Sequence, residues 1–549
     1  MLKQIETRFQ DMKQVFLILL IISLLACGKD PEPTIVVEKN DDTYSPAKVQ
    51  PVLEEWQRKT FNYFYDGADP STGMAYEGNE RGTTVTVGGS GFGVMALITG
   101  SERGWITRQQ AAERTQKIVR FLGKAVRFKG MWSHWYNTDG TAHPFGNQTK
   151  TGDVIESSFM MAGLLTALEY YTSTSAVETE IRDSIQSFWN TMDWRFYARS
   201  GNALQWLWFS QEDRLDLNIK GWNEGWIAYI LALAAPDPHN ISQEIYAKGW
   251  QSNGAIFRPN QSFYGYNLRL GENKGGPMFF AHYSFLGLNP QKIEDNHANY
   301  WQQNVAHTMI NRHYCIEEAS SAYKYDERNW GLTACYGGKP PWNYSARSPT
   351  NDDGVIAPTA ALSSYPYTPF YSTQVLLNLA NMPLAQGTYG FADAYSPGTN
   401  TSEKKHLAID QGPIVVMMEN YRSGLIWNLM MKNEQVKLGL NRAGVKEKPA
   451  YKQGFHLAMT NTLTNEYDMM RHPDRKLFEL GYNLESGGSA KFTVTTKAQN
   501  KVVLEKTITG NAGENVFEFD GQEILYGKQY TIKMIAPDNK EYTIVTRLR

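Results

Sequence analysis

Only three cysteines occur in 549 residues, and one of them, Cys27, lies in the N-terminal leader, so no disulfide framework organises the fold. Cys315 and Cys335 are left for the body, either as one pair or as two separate buried thiols. Excess charge of either sign is missing as well: 54 Lys and Arg stand against 56 Asp and Glu, and no basic run offers the field that a nucleic acid requires. We therefore expect no nucleic-acid partner. HExxH, paired CxxC, a P-loop and a GxGxxG opening a helix are all absent, and the ten histidines do not cluster at ligand spacing. Neither a metal nor a cofactor is expected. A short fixed-period repeat is absent too, which argues against an open solenoid.

Aromatic residues are what the chain has in plenty. Its 15 Trp, 31 Tyr and 24 Phe are scattered through polar, glycine-containing stretches. Aromatic faces stack on the C–H faces of pyranose rings while neighbouring amides and carboxylates take the hydroxyls, so the mixture suits sugar binding as well as an ordinary core.

The N-terminus reads as a targeting segment. Residues 16–26, FLILLIISLLA, have the length of a signal-peptide core and are too short to span a bilayer. The run ends Leu24-Leu25-Ala26-Cys27, which resembles a bacterial lipobox with Cys27 as the lipidated residue. Glu6 and Asp11 upstream are unusual for a leader and suggest translation from Met12. Residues 28–49 are polar and Pro-containing, as a tether would be. The expected protein is exported, held at the cell envelope by an N-terminal lipid anchor, and monomeric.

From 50 to 445 helical patterns alternate with long Gly/Pro/Asn/aromatic loops, at 51–65, 91–100, 107–125, 154–172, 176–190, 223–235, 241–252, 295–312, 367–381 and 413–420. Some, such as SGFGVMALITG and GWIAYILALA, are apolar nearly all round, whereas AAERTQKIVRFL has a charged face. Two classes of helix imply two shells, as in an α/α barrel, and the fold class is read as mainly α. After a connector at 446–475, alternating strand patterns such as KFTVTTKAQ and KQYTIKMIAP predict a small β-sandwich over 476–549.

Carboxylates among aromatics are the candidates for chemistry. Asp153 and Glu156, three apart at a helix start, fit a capping box as readily as a binding site. Trp132, His134 and Trp135 in the loop upstream look like a binding wall. Glu224 is flanked by Trp222 and Trp226, themselves candidates for substrate binding, and to serve as an acid it needs desolvation by indoles to outweigh a helix dipole that favours ionisation. Asp352 and Asp353 precede an apolar helix, either as caps or as hydroxyl ligands. Asp410 stands before Gly412-Pro413, where a helix terminus would keep it ionised, as a general base requires; a capping Asp looks the same.

Four segments, GSGFGVMALITGSERGWI, NDDGVIAPTAALSSYPYTP, TYGFADAYSP and IDQGPIVVMMENYRSGLIW, together resemble the glucoamylase-like domain family that includes glycoside hydrolase family 144. The resemblance spans about 50–445. It implies an (α/α)6 barrel that hydrolyses β-1,2-glucan with inversion, within the chain or by releasing sophorose from an end. It also implies Glu224 as acid, Asp410 as base, and Asp153 and Glu156 as substrate-binding or environment-shaping groups. A third acidic position of the family falls near Thr149, which is not acidic. Inversion requires the two catalytic carboxyls about 6.5–9.5 Å apart, with water between. The rival readings are a glucoamylase-like hydrolase of other glucans and a non-catalytic surface glycan-binding lipoprotein.

Overall fold

A computed structural model describes residues 42–549, except 80, 81, 83, 147–149, 457–465 and 522. Cys27, the apolar run and most of the tether lie outside the described residues, as does Thr149. No helix among the described residues is long and apolar enough to cross a membrane.

Among the described residues, ten helices of nine residues or more organise the body: α1 (Pro46–Tyr65), α2 (Val87–Glu102), α3 (Arg108–Lys124), α4 (Val154–Tyr170), α5 (Ala176–Thr191), α6 (Trp226–Ala234), α7 (Tyr300–His313), α8 (Pro369–Leu379), α9 (Ala408–Arg422) and α10 (Glu434–Arg442). Their sequences divide them into two layers. Helices α2, α4, α6 and α9 are buried along most of their length and touch in the order α9, α2, α4, α6. Amphipathic helices cover them, α1 lying on α9, α5 on α4 and α10 on α6. A polar outer face lets each covering helix meet water while its apolar stripe seals the layer beneath. The amphipathic α3 starts from a complete capping box, in which Thr107 and Gln110 satisfy each other's backbone N–H groups.

The inner helices cross closely because glycine stands at the crossings. A Cβ on Gly163 of α4 would lie 2.1 Å from the Gly91 carbonyl of α2, and one on Gly412 of α9 would lie 2.4 Å from Phe92 Cβ. Any side chain at either position would push two inner helices apart. The same tight packing brings the N-termini of α2, α4 and α9 together. Short strands feed two of them: β1 (Thr84–Thr86) runs into α2, and β3 (Thr151–Asp153) runs into α4. β1 pairs with β2 (Trp135–Asn137), and β3 pairs with β4 (Gln205–Phe209), which also pairs with β5 (Arg214–Asn218).

Two expectations about helix starts need correction. Helix α6 begins at Trp226 with Gly225 as its N-cap, so Glu224 sits in the preceding turn, outside the helix. Helix α9 begins at Ala408, which puts Pro413 inside the helix and Asp410 in its first turn. Cys315 and Cys335 are two separate buried free thiols, not a pair.

Beyond α10 the chain forms two sheets. Strands β6 (Gly454–Phe455), β8 (Phe478–Leu484) and β11 (Gly513–Phe519) make one, in the order β6-β8-β11. The other runs β7-β13-β12-β9-β10, from β7 (Glu466–Met469), β13 (Glu541–Leu548), β12 (Gln529–Ile535), β9 (Gly488–Thr496) and β10 (Val502–Gly510). Alternation puts Phe478, Leu480, Tyr482, Phe517 and Phe519 of the first against Phe492, Val494, Ile532 and Met534 of the second, in one apolar core. Phe492 stacks on Phe517 with ring centroids 4.1 Å apart.

An ion network joins this region to the helices. Arg422, at the end of α9 with its side chain 1% exposed, donates to both oxygens of Asp474 at 2.8 and 3.0 Å and to Gln57 at 2.7 Å, and pairs with Glu54 at 2.7 Å. Arg103 bridges Glu419, at 2.6 Å, to the same Asp474, at 3.1 Å. Removing one member of such a buried network leaves uncompensated charge, so Arg422→Ala should cost about 3 kcal/mol of stability. Urea unfolding monitored by tryptophan fluorescence checks this; an unchanged midpoint would contradict it.

Candidate active site

The three N-termini and the turn before α6 surround a cavity of about 480 Å3, within the range of small-ligand sites. Its lining includes Glu77, His134, Trp135, Glu156, Trp206, Glu224, Phe279, Tyr283, Tyr336 and Tyr344.

One wall is built at the β3–α4 junction. Asp153 caps α4, its Oδ1 accepting the Glu156 N–H at 2.9 Å. The reciprocal half of a capping box is missing, because the Glu156 carboxylate accepts the Gly88 N–H of α2 at 2.6 Å instead. Asp153 Oδ2 contacts His134 Nδ1 at 2.7 Å and accepts from Trp206 Nε1 at 3.2 Å, while His134 Nε2 lies 3.8 Å from Glu156. Burial alone would discharge the His134 imidazole. The Glu156 and Asp153 charges outweigh it and lift the imidazole to about 9. Burial pushes the Glu156 carboxyl up to about 7, against the pull of His134.

The second wall carries Glu224. It is 8% exposed, and burial pushes its carboxyl up to about 7. Desolvation prevails over the hydrogen bond from its own backbone N–H, which favours the ionised form. The Glu224 carbonyl accepts from Ser284 Oγ at 2.6 Å, and the same oxygen Oγ accepts the Ile227 N–H of α6 at 3.0 Å. Tyr283, next in the chain, donates from its hydroxyl to Asp410 Oδ1 at 3.1 Å. The consecutive residues 283 and 284 therefore tie the Glu224 turn to the first turn of α9.

Asp410 is 1% exposed and sits behind Tyr283, outside the cavity lining. Its carboxyl is raised well above the usual carboxylate range, first by burial and then by the charge and hydrogen bond of Asp393. This corrects the expectation that the start of a helix holds Asp410 ionised. Asp393 is itself 2% exposed and accepts the Tyr336 N–H at 2.7 Å. Asp393 and Asp410 therefore influence each other, and such a pair titrates as a unit.

A family model described as "Glycoamylase: Putative glucoamylase" matches residues 216–434. A Bacteroides uniformis structure named as a putative glucoamylase is 44% identical, covering 72% of this chain and 98% of its own, with a TM-score of 0.68. The Chitinophaga pinensis endo-β-1,2-glucanase, solved with sophorotriose and glucose, is 42% identical with the same coverage and a TM-score of 0.69. The chain belongs to the glucoamylase-like, family 144 type of glycoside hydrolase. An exo β-1,2-glucooligosaccharide sophorohydrolase of Parabacteroides distasonis is 38% identical over 437 residues, and the chain spans 60% of that relative's length.

In this glucoamylase-like site, Glu224, Glu156 and His134 line the cavity, and Asp153 and Asp410 stand directly behind lining residues. Four expected binding residues are elsewhere. Trp132 is fully buried, donates to the Leu122 carbonyl at 3.1 Å and packs edge-on against Phe188. Trp222 and Trp226 belong to an aromatic core with Trp250, Phe285 and Tyr300, so other residues dry Glu224. Asp353 is half exposed and pairs with Arg347 at 2.6 Å. The wall aromatics are the expected Trp135 together with Phe159, Trp206, Phe279, Tyr283, Tyr336 and Tyr344. Sequence reasoning missed Glu77, Tyr283 and Asp393. Asp393 lies within the family-like segment TYGFADAYSP, the one signal that pointed to it. The described residues hold no cluster of His, Cys, Asp and Glu fit for a metal ion.

The His134 geometry has a measurable consequence. Its imidazolium contributes stability that is full below the unfolded value near 6.5 and lost as pH rises through about 9. NMR of labelled histidine should show one imidazole titrating near pH 9, and Asp153→Asn should move it down. A wild-type spectrum with no midpoint above 7.5 would contradict the pairing.

Proposed function

We propose that the chain is an inverting hydrolase of β-1,2-glucan or its oligosaccharides. Its helices form an (α/α)6 barrel over 50–445, followed by a C-terminal β-sandwich that begins earlier than the expected 476, since strands of both its sheets lie at 454–455 and 466–469 within the expected connector 446–475. Residues 1–27 act as a lipoprotein signal ending at the lipidated Cys27, and 28–49 tether a monomer to the cell envelope. The relatives above and the aromatic cavity support the substrate class. The observation that carries the reading is Glu224: a carboxyl lining an aromatic cavity, dried until it holds a proton near neutral pH.

In this reading Glu224 donates its proton to the departing glycosidic oxygen as the C1–O bond breaks. A water attacks C1 from the opposite face and gives its proton to the Asp410–Asp393 pair, so the anomeric configuration inverts. Asp410 takes that proton in its ionised form, in which burial and the neighbouring Asp393 raise its proton affinity. Asp153, His134 and Glu156 hold one wall polar and rigid, and Trp135 and Trp206 offer faces for sugar stacking.

The test is hydrolysis of β-1,2-glucan set against starch, with product sizes resolved. Sophorose as sole product marks exo action, and a ladder marks endo action. Because Glu224 works protonated, kcat/KM should fall as pH rises above about 7. Glu224→Gln should lower kcat by about 10³-fold. Near wild-type turnover by that variant, or reducing sugar from starch alone, would refute the assignment.

A further inference from the structure

Asp410 poses a problem that its surroundings also answer. A general base must reach the water whose proton it takes, directly or through one intervening group. Asp410 is 1% exposed and is not among the residues that line the cavity. The group between them is the phenol of Tyr283, which lines the cavity and donates to Asp410 Oδ1 at 3.1 Å. Its ring is held from several sides: Phe279 stacks on it at 5.1 Å, with Phe92 at 5.4 Å and Phe159 at 5.6 Å. Ser284, the next residue, is bonded to the Glu224 carbonyl, so the phenol is fixed relative to the acid as well as the base.

Resting on the hydrolase reading above, we infer that Tyr283 is a catalytic residue, the relay that carries the proton of the attacking water to Asp410. As the water oxygen bonds to C1, its O–H bond breaks and that proton passes to Tyr283 Oη. In the same step the Tyr283 Oη–H bond breaks and its proton passes to Asp410 Oδ1. The phenol begins and ends neutral, and the Asp410–Asp393 pair gains the proton. Concerted transfer is required, because burial and the charges of Asp410 and Glu224 hold the phenol far above its ordinary value, so a free phenolate does not form. On release of product the pair returns its proton to solvent by the reverse path.

Tyr283→Phe tests the relay, since it keeps the ring and its aromatic contacts and deletes only the hydroxyl. On β-1,2-glucan the variant should lose about 10²- to 10³-fold in kcat, the range of general-base assistance, with KM within about threefold of wild type. Asp410→Asn should lose a comparable factor. Groups that act as one unit are non-additive, so the double variant should be no slower than the slower single variant by more than about threefold. Thermal melts of all three establish that each is folded. A Tyr283→Phe enzyme within threefold of wild-type kcat overturns the relay, as does a double variant whose loss is the product of the single losses. Either result leaves the hydrolase reading standing if wild type is active. A wild type inert on β-1,2-glucan overturns the hydrolase reading first, and the relay with it.

Discussion

The hydrogen bond from Ser284 Oγ to the Glu224 carbonyl is the constraint on which the site depends. It fixes a turn that no helix holds, since Glu224 precedes the N-cap of α6. The same hydroxyl oxygen accepts an N–H group of α6, so one serine closes the helix and aims the turn. With Tyr283 beside it bonded to Asp410, a two-residue step sets the spacing between elements far apart in sequence. Rigid support of this kind distinguishes a preorganised cleft from a mere gathering of polar side chains.

Around that step the fold draws carboxyl groups out of water. Asp153, Glu156, Glu224, Asp393 and Asp410 are all at most 8% exposed. Each answers the cost of burial differently. Asp153 takes an imidazolium and a helix N–H group, Glu156 an N–H of a neighbouring helix, Glu224 a proton, and Asp393 and Asp410 each other. Glu224 at the cavity wall and Asp410 behind it are thus both raised by burial, but only Asp410 also feels a second carboxyl.

How far this was legible in the sequence follows from the kind of signal each residue carries. Long helices announced themselves by periodicity, and α3, α4 and α5 match their expected spans closely. The short strands β1 to β5 carried no such signal, being three to five residues long and set among loops. Asp153, behind the wall, stood out in the sequence by its spacing from Glu156, and Glu224, which lines the cavity, by its flanking tryptophans. The same cue misled at Trp132, Trp222 and Trp226, because an indole beside a cavity residue in sequence often points the opposite way, into the core. Tyr283 and Asp393 matter through partners 127 and 17 residues away, and no local pattern encodes such meetings.

Helix α9 carries Asp410 at one end and Arg422 at the other, and Arg422 is held by Asp474 from the strand-rich part of the chain. A truncated protein ending after Val445 would therefore keep every cavity-lining group yet lose the anchor at the far end of the helix that presents Asp410. The C-terminal sheets are in that sense a buttress for the helix on which Asp410 stands.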